Sequence, residues 1–509
     1  MPKKQFKDFI RPHIMQKKFL SNLILLLFLN LLVKPFWILG IDRGVQNAVG
    51  AGEYGFYFAI LNFSFIFNIL LDFGITNFNN RNIAQHKQLL HKHFSSIIIL
   101  KALLSLVYFV VILTAGLLMK YDARQLSMLV LLGFNQFLLS FILYLRSNIS
   151  GLLMFRTDSM LSVMDRLLMI IFCGILLWGN VTDQPFRIEW FVYTQTAAYL
   201  LTIAVAAGIV AVKARFRKLH WNYLFFIMIL KKSFPFAVLV LLMAFYNRID
   251  SVMIEKLLRD TIGNEQVGVY AQAYRLLDAT NMIAYLFAVL LLPLFANMIR
   301  NKQAVQDLIK LSYSLLSMLA IVVAMSAVFY GDQFMRLLYP PHGLETTAAY
   351  ELRISQSARV FSLLMCGFLP ISTTYVFGSL LTANGNLKQL NLVAASGMVL
   401  NIMMNLILVP RLFAVGSAIT SLTTQSITAI LQVVLVQYIF RFKPDYGFLI
   451  RLLVFALGAF FVAWLTSLSG LPWVKSLVLM IASILVYSAV LKLINIRSLI
   501  RILSGSEKA

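Results

Sequence analysis

Apolar runs about twenty residues long recur along almost the whole of this chain, and that feature alone excludes most folds. About 20 apolar residues in a helix span the hydrocarbon of a bilayer. No water is available there to satisfy the backbone, so only helices and closed barrels cross. The runs lack the apolar–polar alternation of barrel strands. The chain therefore reads as an all-α polytopic membrane protein with about 14 transmembrane helices. Composition agrees: 60% of the 509 residues are hydrophobic and only 13% are charged, against about 25% charged in a soluble domain.

The net charge of +24 could point to nucleic acid. Its distribution points to topology instead. With the N-terminus placed inside, the inner tails and connections carry 24 Lys and Arg and the outer loops 8. That bias is the positive-inside pattern. It puts both termini in the cytoplasm and accounts for most of the basicity, so no nucleic-acid partner is expected. The basic N-terminus turns apolar at Phe19, and Lys34-Pro35-Phe36-Trp37 follows in place of a small-residue cleavage site, so the first helix is read as retained. Cys173 and Cys366 lie inside apolar runs and read as small hydrophobes. His86, His91 and His93 share a polar loop with no carboxylate or thiol at ligand spacing, and no metal site is expected there.

The sequence also repeats. Gly268 and Tyr270 match Gly55 and Tyr57 at a constant offset of 213 residues, each pair opening the second helix of its half. Two pseudo-symmetric six-helix lobes plus two extra C-terminal helices fit the count. The expected layout is a basic tail (1–19), an N-lobe (20–212), a basic amphipathic joint (213–234), a C-lobe (235–440), helices thirteen and fourteen (441–495) and a second tail (496–509). Within it, 41–53 reads as an outer loop, 54–78 as one helix, 309–330 as another and 331–351 as the longest outer loop.

Charges embedded in apolar helices carry the functional information, because a charge near a bilayer midplane costs at least ~2.5–3.5 kcal/mol on insertion scales. Arg275 and Asp278 lie near the middle of the span 268–287, three apart and so on one face. Arg248 and Asp250 lie near the middle of the preceding span, two apart and so on different faces. Asp72 shares a face with Asn68. Lys34 and Arg359 fall within other spans. Asn401 and Asn405, four apart, read as amides that hydrogen-bond across helices. No phosphate-binding glycine loop, HExxH or Asp-x-Asp pair is present, which argues against an enzyme.

The stretch Gly378–Gln425 makes a resemblance specific: Leu381-Thr382-Ala383 with Gly385, then Asn401-x-x-x-Asn405, Pro410, and Gly416 with Ala418. It resembles oligosaccharide-lipid and O-antigen-type polysaccharide flippases of the multidrug/oligosaccharidyl-lipid/polysaccharide exporter superfamily. Ser417 departs mildly, since that family usually has Gly or Ala there. The stretches from Val33 to His86, from Ser233 to Leu258 and from Gln266 to Asp278 look like the same branch. The resemblance implies two lobes around a central cavity and alternating access in a bacterial inner membrane. It implies movement of undecaprenyl-pyrophosphate-linked oligosaccharide from the inner to the outer leaflet. Lys34, Arg248, Arg275 and Arg359 are then the candidate substrate-binding cations. Asp250, Asp278 and Asp72 are candidate ion-coupling groups or charge partners. No cofactor is expected beyond a possible H⁺ or Na⁺ gradient, and the expected partners are the lipid-linked substrate and membrane lipids, with a monomer as the expected state. The competing readings are a lipid II flippase, a multidrug cation antiporter on the same fold and, in another class, a membrane-embedded glycan polymerase or ligase.

Overall fold

The computed structural model describes residues 29–493, apart from 31, 34, 77–78, 81–82, 84–87, 180, 182, 215–220, 259, 344, 443–444 and 492. The described residues form thirteen α-helices and no strand. A π-helical turn, Trp37–Asp42, leads into α1 (Arg43–Ile66), and a 3-10 turn, Asn68–Leu71, follows. The remaining helices are α2 (Leu89–Leu118), α3 (Ala123–Gly151), α4 (Phe155–Trp178), α5 (Ile188–Ala214), α6 (Tyr223–Leu258), α7 (Asp260–Arg300), α8 (Gln306–Leu338), α9 (Thr347–Cys366), α10 (Phe368–Ala383), α11 (Leu387–Phe440), α12 (Tyr446–Ser467) and α13 (Trp473–Val490). Eleven segments of the described chain are long and apolar enough to cross a membrane.

Local sequence sets many of the ends. Asp122 and Gln125 form a reciprocal capping box at the start of α3, which satisfies two otherwise orphan N–H groups. Thr346 caps α9 and Asp445 caps α12 through their side-chain oxygens. At 54 residues α11 is far longer than a bilayer requires. It breaks at Phe413, whose φ of 55° lies in the left-handed region. The two halves fold back on each other: Ser417 Oγ donates to Asn405 Oδ1 at 2.8 Å, and a Cβ on Gly397 would stand 2.6 Å from the Thr428 methyl. In a straight helix residues 12 apart would lie about 18 Å apart.

Several expected boundaries change. The stretch 41–53 is helical, and α1 is kinked at Gly50 (φ 79°). The helix expected over 54–78 ends at Ile66, and the chain turns through Phe73 (φ 44°) and Gly74 (φ 77°). Extra backbone turns inside an apolar run are invisible to hydropathy. α8 runs on to Leu338, which shortens the loop expected over 331–351. The apolar stretch that holds Arg359 divides at Gly367 into α9 and α10. α6 starts at Tyr223 and continues through Pro235. Phe225, Phe226 and Ile229 at its start are buried, while Trp221, Tyr223, Leu224 and Ile227 are exposed.

The chain falls into two compact units. The first comprises Met1–Val49 and Ala59–Ala244, with a core built from Ile97, Leu100, Leu104, Tyr144, Leu145 and residues packed on them. The second comprises Gly50–Phe58 and Phe245–Ala509. There α12 and α13 pack on α8 through Met318, Ile321, Phe455, Ala459, Met480 and Ile484.

The repeat has a physical expression inside the second unit. A Cβ on Gly55 would lie 1.9 Å from the Asn264 carbonyl oxygen, and one on Gly268 would lie 2.1 Å from the Ala51 carbonyl oxygen. Asn264 and Ala51 are separated by the same 213 residues as the two glycines. Each copy of the motif therefore seats its glycine on the other copy's backbone, which is the reciprocal contact that two-fold symmetry produces. Only glycine permits so close an approach of two helices.

Candidate functional site

Two buried polar sites share α6 in the second unit, because Arg248 and Asp250 leave that helix on different faces. Arg248 Nη1 stands 3.4 Å from Asp278 Oδ2 on α7, and Arg275 Nη1 stands 3.8 Å from the same oxygen. Arg275 Nε donates to Tyr54 Oη at 2.9 Å. Its guanidinium lies 5.0 Å above the Phe58 ring, and that of Arg248 lies 5.3 Å above Tyr274. Both arginines are thus held by cation–π contact as well as by charge. Tyr274 is fixed in turn, donating through Oη to the Asn247 carbonyl at 2.7 Å and stacking on Tyr270. Side-chain exposures of 22%, 16% and 21% for Arg248, Arg275 and Asp278 leave the cluster partly buried and partly accessible. Two guanidinium groups around one carboxylate make it net positive.

Asp250 is different: it is 1% exposed. Its Oδ1 accepts from Asn401 Nδ2 at 3.0 Å and Asn405 Nδ2 at 2.8 Å, and its Oδ2 accepts from Tyr270 Oη at 2.8 Å. Asn405 Nδ2 also donates to Asn401 Oδ1 at 3.0 Å. The fold-back of α11 places Ser417 against that amide, and Gly416 makes the turn fit, since a Cβ there would lie 2.4 Å from the Leu408 carbonyl oxygen. Among the described residues no basic side chain forms an ion pair with Asp250. The two asparagines read from sequence as interhelical amides thus serve a specific acid.

The other sequence-derived residues are placed as follows. Asp72 belongs to the first unit and pairs with Lys101 at 2.9 Å. Arg359 is exposed on α9 and has no ion-pair partner among the described residues. Lys34 lies outside the described residues. Three contributors escape sequence reasoning. Tyr54 and Phe58 sit in a stretch whose long-range contact with α7 no local pattern reveals. Lys101 did leave a signal, as the one Lys or Arg between Phe94 and Leu118. No cluster of three or more His, Cys, Asp or Glu able to hold a metal occurs among the described residues.

Comparison with known proteins adds to this geometry. The fold matches that of a lipid II flippase, MurJ, in an inward closed conformation, with TM-score 0.67 and 14% identity over 96% of this chain and 100% of that one. It also matches an inward-facing multidrug resistance MATE family transporter of the MOP superfamily, with TM-score 0.60 and 14% identity over 82% and 97% of the two chains. The Vibrio cholerae MATE transporter VcmN in its bent form matches with TM-score 0.52 and 14% identity over 84% and 98%. No curated protein matches the sequence. The profile of the family described as "Polysaccharide biosynthesis protein" matches residues 19–299, more than half of the chain and including the whole arginine cluster. This multi-pass membrane protein, with the fold of the MOP-superfamily transporters, belongs to the polysaccharide biosynthesis protein family.

Proposed function

We propose that this chain is a flippase that moves an undecaprenyl-pyrophosphate-linked oligosaccharide from the inner to the outer leaflet of a bacterial plasma membrane by alternating access. The observation that carries the reading is the cluster of Arg248, Arg275 and Asp278, a net-positive, half-buried site in helices that read as membrane-spanning, walled by Tyr54, Phe58 and Tyr274. A guanidinium fork matches phosphate oxygens and forms charge-assisted bonds with them. A net-positive site repels a cationic drug, which disfavours a multidrug cation antiporter. The same chemistry serves lipid II, whose head group is also a lipid-linked pyrophosphate, so the cluster specifies the linkage and not the glycan. Asp250 supplies the coupling group in this reading: a fully buried carboxylate ringed by neutral donors takes up a proton or a sodium ion in one stage of the cycle. Both termini are assigned to the cytoplasm on the charge count, and a cysteine placed at Ala348, exposed at the start of α9, should react with a membrane-impermeant thiol reagent added outside. Failure to react while Gln303→Cys does react would invert the assignment.

The arginines are tested by separating binding from folding. Arg275→Lys keeps the charge and loses the fork; we expect surface glycan to fall at least about tenfold, equivalent to ~1.4 kcal/mol, at normal membrane yield. Arg275→Ala should lose nearly all export and some yield, because Asp278 then keeps only Arg248. The double variant Arg275→Ala with Asp278→Ala should recover yield without recovering export. Full recovery of export by the double variant would falsify a substrate role for Arg275.

A further inference from the structure

The first unit contains a buried charge that the proposed transport reaction does not use. Lys101, on α2, is 2% exposed, and its Nζ donates to four oxygens: Asp72 Oδ1 at 2.9 Å, the Leu71 carbonyl at 3.1 Å, Ser140 Oγ at 2.7 Å and the Ser140 carbonyl at 3.3 Å. Its three N–H groups are shared among these four acceptors. The Tyr144 ring lies 6.0 Å away on the same helix as Ser140. Ser140 Oγ also donates to the Leu71 carbonyl at 3.1 Å. Leu71 is available because the helix is broken there: the 3-10 turn ends at Leu71, and Phe73 and Gly74 take positive φ, so the Leu71 carbonyl is turned to side chains.

One carboxylate oxygen, two backbone carbonyls and a hydroxyl around a single positive centre form the donor set of a monovalent cation. Unwound backbone inside a membrane is tolerated where it lines such a site, and unwound carbonyls are the groups that hold small cations in transporters. The distances, 2.7–3.3 Å, exceed the roughly 2.0–2.6 Å of Mg²⁺ and Ca²⁺ oxygen shells and suit an ammonium-sized ion. We propose that the helix break at Leu71–Asp72, with Ser140, is a monovalent-cation site that this protein fills permanently with its own side chain, the Lys101 ammonium. The unit then carries its counter-ion covalently, and its charge balance is independent of the ions in the medium. Shortening Lys101 exposes the site to exchangeable cations of ammonium size. Asp72, 26% exposed on its side chain, is the route by which they enter. The inference rests on this geometry and holds whatever substrate is carried.

The test is thermal unfolding of the purified protein in detergent at constant ionic strength, with choline as the reference cation and Na⁺, K⁺, NH₄⁺, methylammonium and ethylammonium compared. The native chain should melt at one temperature in all of them. Lys101→Ala should melt lower in choline and recover, saturably, with NH₄⁺, methylammonium or K⁺. Lys101→Met fills the same volume with an apolar chain, so it should melt low and ignore the cations, and adding Asp72→Asn to it should restore part of the loss. If Lys101→Ala is no more cation-sensitive than the native chain, the site is an ordinary ion pair and the proposal fails. If Lys101→Ala does not accumulate in the membrane, Ser140→Ala decides: it retains Lys101 and removes one of the four oxygens, and it should lower the melting temperature by on the order of 1–2 °C. An unchanged melting temperature for Ser140→Ala would show that the oxygens do not hold the ammonium. Because melting needs no substrate, failure here leaves the flippase reading untouched, and failure of that reading leaves this one standing.

Discussion

Asp72 in the first unit and Asp250 in the second are both carboxylates within apolar stretches, and the protein satisfies them in opposite ways. Asp72 has a lysine tied to it, with two carbonyls and a serine completing the shell of the ammonium. Asp250 has two amides and a phenol, all neutral, and among the described residues no basic partner. The backbone differs in the same sense. Beside Asp72 the helix is broken and contributes a carbonyl, whereas around Asp250 the helix of α6 is intact and the fold-back of α11 brings side-chain amides instead. A charge with a covalently attached partner has nothing to exchange. A carboxylate surrounded only by neutral donors can gain or lose a proton or small cation without breaking an ion pair. The contrast is informative because both acids meet the cost of placing a carboxylate in an apolar stretch, and meet it with different partners.

The comparison breaks most readily at Asp72. Asp72→Asn leaves Lys101 buried without its counter-charge, and removing one member of a buried pair costs on the order of 3–5 kcal/mol. We expect a sharp loss of membrane yield and melting temperature. Asp250→Asn should be far milder. The asparagine oxygen can accept from Asn401 and Asn405, its NH₂ can donate to Tyr270, and the phenol turns from donor to acceptor, so the cost stays within about 1 kcal/mol. Its effect should appear in transport: export should become insensitive to external pH and sodium. Equal destabilisation by the two variants would erase the distinction, and an Asp250→Asn protein that kept its ion dependence would reduce Asp250 to a structural partner.

How much of this was legible in the sequence differs between the two sites. Helices, the repeat and the isolation of Asp250 from Arg248 follow from local spacing: apolar length, a constant offset, two residues on different faces. The Asp72 site was only half legible. The acid was visible, and so was a lysine in an apolar run, but their meeting depends on a helix break that ends α1 at Ile66, twelve residues before the apolar pattern ends. Phe73 in a left-handed conformation gives no sequence signal, since glycine is the residue expected there. The asparagines of α11 were legible as a pair but not as ligands of Asp250, because the reversal at Phe413 is also taken by a residue that does not announce a turn. The aromatic wall of the arginine cluster depends on Tyr54 and Phe58 lying more than 200 residues away in sequence, a contact that follows from the glycine crossing and not from any window of the chain.

The smallest expected effect sets a baseline for the other two. Glu345 and Arg353 form a two-point ion pair near the start of α9, with Nε to Oε1 at 2.8 Å and Nη2 to Oε2 at 2.9 Å, while Nη2 also donates to the Pro340 carbonyl. The hydrogen bonds from Arg353 hold the Glu345 carboxyl below its ordinary range, since they favour the charged form. A carboxylate whose titration is depressed in the folded state contributes stability that is complete above its unfolded value, near 4.3, and that disappears as pH falls through the folded value. Glu345→Gln should therefore lower the melting temperature at pH 7 and at pH 5 by the same small amount, corresponding to no more than about 1 kcal/mol for a pair outside the bilayer. The gap should close progressively below pH 4.3. Added salt at pH 7 should leave both this gap and the Asp72 pair nearly unchanged, because largely buried pairs are screened little: Arg353 and Glu345 are 12% and 16% exposed and Lys101 is 2% exposed. If salt weakened the Asp72 pair, Asp72 and Lys101 would be solvated in the native protein, and the contrast between a tethered cation at Asp72 and the neutral donors around Asp250 would lose its physical basis.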